Sequence, residues 1–214
     1  MFQGGCVGVD IGAADADEEW DYRGIHSQQL LSSLVEKLYR LPVAVVCVAD
    51  GPVVGLGLAL WLASDLRLAT ARSTFRCGFS SLGISNCDMG VSWLLPKVVG
   101  YPTASRMMLV HDIIPAKEAF ERDLAHFIDT DLRAAQDRAH ELVARMTSQH
   151  SRQGLNLTKK QLKTGAEGGT SLAQAVVAEN AIQTYLLGTD EVQSRARAML
   201  AELKRNSDGR RSKL

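Results

Sequence analysis

Apolar positions change their spacing several times along the chain, and each change marks an element. Between His26 and Arg40 they fall at Leu30, Leu31, Leu34 and Leu38, with Leu41 just beyond. That three- and four-residue rhythm predicts one face of a helix. Val43 to Val48 is an unbroken apolar run rich in β-branched residues, short enough for a strand buried on both faces. Asp50-Gly51-Pro52 supplies turn chemistry, and Gly55-Leu56-Gly57 then opens an apolar helix that ends at Ser64-Asp65. With the strand residues up to Ala69, the stretch from Val43 reads as a βαβ-like unit.

Further on, Ser92 to Val98 and Thr103 to Val110 predict short helices, broken by Gly100-Tyr101-Pro102, and Ala116 to Arg122 predicts another. From Leu132 the pattern is almost wholly helical, over 132–147, 154–164, 171–187 and near 190–204. Residues 12–24 are acidic and without helical period, and are read as a loop over a pocket mouth. Trp61 and Trp93 fall inside apolar helical runs and are expected in the core.

Composition narrows the class. At 214 residues with 46% hydrophobic content, the chain can bury a sizeable core. Lys+Arg and Asp+Glu are both 24, so no broad electrostatic surface for nucleic acid or anionic lipid is expected. The clearest charge concentration is the basic tail of Lys204, Arg205, Arg210, Arg211 and Lys213. Cys6, Cys47, Cys77 and Cys87 have no metal-ligand spacing, which suits a reducing compartment better than a disulfide framework, and no metal site is expected. Val43 to Ala63 approaches the length of a membrane span, but Asp50-Gly51-Pro52 interrupts it, so no span is expected. The histidines (His26, His111, His126, His140, His150) form no Ser/His/Asp pattern in sequence.

The glycine segment carries the candidate chemistry. A strand that runs into glycines at a helix start presents backbone N–H groups with the positive end of the helix dipole behind them. Such donors suit the negative oxygen that develops on a carbonyl during acyl chemistry. Gly55 and Gly57 can also serve plain helix–strand packing. They are not a dinucleotide fingerprint, because Leu60 stands where its third small residue belongs.

AVVCVADGPVVGLGLALWLASDLRLA resembles the central block of the crotonase (enoyl-CoA hydratase/isomerase) superfamily. Cys6-Val7-Gly8-Val9-Asp10-Ile11 resembles its upstream segment. Leu82-Gly83, Asp88-Met89-Gly90 and Leu94-Leu95-Pro96-Lys97 resemble its downstream loop and helix. The resemblance implies an α/β fold, a ClpP/crotonase-like ββα spiral core with a C-terminal helical region. It places the core in residues 1–130, with the first ββα layer missing because the family begins further upstream. Residues 131–205 would form helices that cover the site and pack subunits into homotrimers or homohexamers, and 206–214 a basic tail.

The resemblance also implies the site. The oxyanion donors would be the N–H groups of Val9 and Leu56, with Cys6, Val7, Gly55 and Gly57 lining the acyl-CoA pocket; Lys97, Lys159 and Lys160 are candidates for CoA phosphates, although helix-face lysines usually just face solvent. CoA would arrive as part of the substrate, with no separate cofactor. The two glutamates of family hydratases correspond here to Ala59 and Phe79, neither able to move a proton. Asp88 matches the aspartate of the family's dienoyl-CoA isomerases, although an Asp before a helix is often only an N-cap. Asp65 is read as structural. His111 and Asp123 stand where the family usually has glycine.

The implied activity is isomerisation of an unsaturated acyl-CoA in fatty-acid metabolism, such as β-oxidation. A non-catalytic paralogue that binds acyl-CoA or joins active subunits, and a thioester hydrolase, remain the alternatives. Ser212-Lys213-Leu214 matches the tripeptide read by the peroxisomal import receptor, which implies the peroxisomal matrix or a glycosome.

Overall fold

The computed structural model describes residues 20–211. They form two compact units, one ending at Val143 and the other beginning at Ala144.

In the first unit the chain alternates between two three-stranded sheets. Helix α1 spans Trp20–Arg40. It covers residues 20–24 of the stretch expected to be a loop. Its inward face is Val35 with Leu31, Leu38 and Tyr39, while Leu30 and Leu34 of the expected stripe face outward. Strand β1 (Val46–Ala49) begins later than the apolar run predicts and is followed at once by β2 (Pro52–Val54). The helix after the glycines is α2, Leu56–Ala63. β3 (Leu66–Thr70) and β4 (Thr74–Arg76) repeat the pair, and α3 (Val91–Ser105) follows.

β1 pairs parallel with β3, from Val46 opposite Leu66 to Ala49 opposite Ala69. β2 pairs parallel with β4 in the other sheet. Each turn of this ββα spiral therefore contributes one strand to each sheet and one helix. The last turn is shorter. β5 (Ile114–Pro115) closes the β2–β4 sheet antiparallel, α4 covers Ala116–Glu121, and β6 (Phe127–Asp129) joins β3.

Side chains at the corners explain the turns. Asp50 is buried where β1 hands over to β2, and it accepts from Thr70 Oγ1 at 2.8 Å and from Arg72 Nε at 2.6 Å. The Arg72 guanidinium holds the Asp50 carboxyl below its usual value against the opposing effect of burial. Ser73 Oγ donates to Ala49 O at 3.0 Å, tying the β3–β4 turn to the same corner.

At the other end, Asp65 accepts from Val45 N–H at 2.7 Å. Buried Arg67 donates to the carbonyls of Leu124, Ser64 and Asp123 at 2.9, 3.3 and 3.2 Å. Burial lowers its pKa to about 10. Trp61 Nε1–H shares the Leu124 carbonyl at 2.9 Å. The Asp-Leu-Arg signature thus fastens a spiral turn, and Asp65 is structural as expected.

The core is built from Leu58, Ala59, Trp61, Phe75, Val91 and Leu95, all buried. Trp93 is not among them: it is 41% exposed, edge-on to Tyr39 with centroids 5.9 Å apart.

α3 contains the expected break, since Gly100 takes φ 75, ψ 160 before Pro102. A π-helical turn, Arg106–Val110, continues to His111, which sits in the left-handed region at φ 65. Asp123 is left-handed too, at φ 60. Both are positions where glycine carries no Cβ penalty, which is the physical reason a glycine would be placed there.

α5 (Leu132–Gln149) packs Ala135, Ala139 and Leu142 against β1 and β3 through Val48 and Leu68. The second unit holds α6 (Arg152–Glu167), α7 (Leu172–Leu187) and α8 (Asp190–Arg211). Ser151 caps α6 by accepting from Gly154 N–H at 2.9 Å, and Ser171 with Gln174 forms a capping box on α7. No helix among the described residues is long and apolar enough to cross a membrane.

Candidate active site

The head of α2 is set by backbone that only glycine tolerates. Gly55 has φ 57, ψ −120, and its N–H donates to Cys77 O at 2.9 Å. Leu56 is the first residue of α2, so its N–H has no helical acceptor behind it. Gly57 is buried in the first turn. The Phe79 ring lies over Gly55, with its Cε1 at 3.6 Å from the point a Cβ on Gly55 would occupy. Ala59, one turn into the helix, is 0% exposed. Ala59 and Phe79, the positions that the resemblance matches to the family glutamates, are thus buried apolar side chains.

Asp88 stands three residues before the start of α3, half-buried. Its Oδ1 accepts from Met89 N–H at 2.7 Å and from Gln28 Nε2 on α1. It does not cap α3. The cap is Gly90, left-handed at φ 80 with no side-chain bond, and Met89 before it is left-handed at φ 48. Asp88 is therefore held by a residue distant in sequence and is free of the usual duty of an aspartate before a helix. Met89 and Phe79 enter the same core cluster against which Leu56 packs.

Lys97 lies on the outer side of α3 with Nζ 4.5 Å from the centre of the Trp93 ring. Lys159 is buried and Lys160 exposed. Cys6, Val7, Val9 and the tripeptide Ser212-Lys213-Leu214 lie outside the described residues. Among the described residues no His/Cys/Asp/Glu group has metal-binding geometry.

The 3-10 turn Phe79–Leu82 holds an arrangement that no sequence pattern announces. His111, at the end of the π-helical turn, places Nδ1 2.8 Å from Ser80 Oγ and Nε2 3.0 Å from Ser81 Oγ. Arg106 braces that turn through Asp112 at 2.8 Å and Glu118 at 3.1 Å. No spacing rule could have found this contact, since thirty-one residues separate Ser80 from His111.

The family model for enoyl-CoA hydratase/isomerase matches residues 4–208. The chain belongs to this family. Its ββα spiral is the crotonase fold, shared with a probable enoyl-CoA hydratase/isomerase from Mycobacterium abscessus at TM-score 0.78 and 27% identity, over 92% of this chain and 74% of that one. An enoyl-CoA hydratase from Bacillus anthracis matches at TM-score 0.81 and 22% identity over the same shares, a likeness of fold alone. In sequence, this crotonase chain is 34% identical to a probable enoyl-CoA hydratase of Mycobacterium leprae (strain TN) over 164 residues, 77% of this chain and 55% of that protein. It is 29% identical to the 1,2-epoxyphenylacetyl-CoA isomerase of Escherichia coli (strain K12), over 76% of this chain and 62% of that protein. The chain spans little more than half the length of the curated relatives it matches.

Proposed function

We propose that this crotonase-family chain isomerises an unsaturated acyl-CoA by proton transfer, with Asp88 as the base and acid. One observation carries the reading. Asp88 is a partly buried carboxylate held by Gln28 and Met89 rather than spent on a helix cap, while Ala59 and Phe79 remove the pair needed for water addition. Asp88 would take a proton from an acyl carbon, leaving the thioester oxygen negative. The N–H of Leu56 at the head of α2, with that of Val9, would hold this oxygen until Asp88 returns the proton at another carbon. The Escherichia coli relative is by name a 1,2-epoxyphenylacetyl-CoA isomerase, so isomerisation of a CoA thioester occurs among the relatives.

CoA would enter with the substrate and no redox group is required by these steps. Family-like trimers or hexamers, and import by the peroxisomal receptor through Ser212-Lys213-Leu214 in a host that has it, belong to the same proposal. Ala59 and Phe79 also favour a second reading, an acyl-CoA-binding paralogue without turnover.

A panel of unsaturated acyl-CoA thioesters distinguishes them. The isomerase reading expects double-bond migration that falls about 10²–10⁴-fold in Asp88→Asn. Migration unchanged in Asp88→Asn would remove Asp88 from the mechanism, and tight binding with no migration would select the paralogue.

A further inference from the structure

We propose that Ser80 and His111 form a nucleophile–base pair that cleaves activated acyl compounds, thioesters or esters, through an acyl-serine. The activity is separate from isomerisation and does not involve Asp88.

The hydrogen-bond directions follow from Asn86, which is 6% exposed. Ser80 N–H donates to Asn86 Oδ1 at 3.0 Å, which fixes how the amide is turned. Asn86 Nδ2 then donates to Met108 O at 2.7 Å and to Ser80 Oγ at 3.0 Å. With one lone pair of Ser80 Oγ taken by that donor, its hydroxyl proton can be directed to His111 Nδ1, 2.8 Å away. His111 Nε2 lies 3.0 Å from Ser81 Oγ, so the tautomer that leaves Nδ1 open to accept can donate its Nε2–H to Ser81. Nucleophile, base and orienting group are therefore present, in the order that activates a serine.

His111 occupies this place at a backbone angle of φ 65 that glycine adopts more readily. Both serines are exposed and His111 is half-buried, so an acyl donor can reach Ser80 Oγ.

The chemistry balances without a further reactant except water. Ser80 Oγ forms a bond to the acyl carbon as its proton passes to His111 Nδ1. The C–S or C–O bond breaks, and the leaving thiolate or alkoxide takes that proton from His111. Water then attacks the acyl-serine, giving its proton to His111, and Ser80 leaves with that proton to restore the hydroxyl. The products are a carboxylic acid and a thiol or alcohol.

The local backbone does not help the oxyanion. Ser80 N–H is engaged by Asn86, and Ser81 N–H by Gly78 O at 3.2 Å. Acyl transfer should therefore be slow, with a burst of about one product per chain only for a donor whose good leaving group makes acylation faster than hydrolysis of the acyl-serine.

The test incubates the full 214-residue chain with a fluorophosphonate probe and locates the adduct by intact mass and peptide mapping. A single adduct on Ser80 is expected, absent in Ser80→Ala and formed at least tenfold more slowly in His111→Asn and His111→Gly. Both of the last two suit the left-handed backbone, and matching circular dichroism with the parent chain shows that they fold. A burst from p-nitrophenyl acetate should disappear in the same variants. An adduct elsewhere, no adduct, or undiminished labelling in His111→Asn overturns the proposal. Labelling depends on His111 and is read by mass, whereas isomerisation depends on Asp88 and is read on acyl-CoA, so either can fail while the other stands.

Discussion

Gly78→Ala tests how tightly the 77–79 turn fixes the head of α2. Gly78 is left-handed, with φ 85. An L residue there costs about 1–2 kcal/mol in backbone strain. The added Cβ would stand 2.3 Å from Val54 Cγ1, against an ordinary carbon–carbon contact of about 3.5–4.0 Å. Something must therefore move by more than about 1 Å. Val54 is 8% exposed and its strand position is paired with Arg76, so its backbone has little room to retreat. Overpacking of this kind costs about 1–3 kcal/mol. The two costs together give about 2–5 kcal/mol, a large share of the ~5–15 kcal/mol that stabilises a typical domain.

Urea unfolding followed by tryptophan fluorescence measures the loss, expected as a midpoint lowered by on the order of 1–2 M. The double variant Val54→Ala/Gly78→Ala removes the clashing methyl but not the backbone strain. It should recover about 1–3 kcal/mol relative to the sum of the single changes. Gly55 N–H is tied to Cys77 O, so Gly78→Ala should also reduce the proposed isomerisation under conditions where the protein remains folded. A Gly78→Ala unfolding free energy within about 0.5 kcal/mol of the parent, or no coupling with Val54, would refute the reasoning.

Acid sensitivity should pass through His126, whose Nδ1 accepts from Arg67 N–H at 3.0 Å and whose pKa is lowered by burial and by the Arg67 charge. Above the ordinary value of 6.5 the imidazole is neutral in both states. As the pH falls below it, the unfolded chain takes up the proton first and stability declines toward the folded-state value. His126→Asn keeps an acceptor without the titration, so its urea midpoint should fall less between pH 8 and pH 5.5, bracketing the unfolded value; an identical fall would exclude His126 as the cause. Thiol reactivity should separate Cys87 from Cys77. Cys87 is exposed, whereas burial pushes the Cys77 thiol up to about 12. Mass mapping after brief alkylation should find Cys87 modified well before Cys77 in folded protein, and equal modification would contradict the packing around Cys77.

Much of the helical layout is legible in the amino-acid pattern. Apolar residues at helical spacing mark α1, α5 and α7, and the glycines with the following apolar run mark α2. Strands β2, β4, β5 and β6 are not legible in this way, because two or three residues are too few to show a period. Trp93 sits in an apolar run, but which side of α3 meets the core is decided by what packs there, and Trp93 falls on the outer side beside Tyr39. Asp88 can be found by its motif. Its partner Gln28 lies sixty residues earlier and cannot.

By itself the sequence determined the family, the strand–helix–strand unit around Gly55-Leu56-Gly57 and Asp65-Leu66-Arg67, and that Ala59 and Phe79 carry no ionisable group. These are local patterns: turn residues at fixed offsets, apolar spacing, and side chains unable to carry a proton. Tertiary structure alone decided that Asp88 is held by Gln28 instead of capping α3, and that His111 meets Ser80 and Ser81. The left-handed backbone at His111 and Asp123 belongs with these. Each depends on where the spiral brings distant segments together, and contacts over thirty or sixty residues leave no period in the chain.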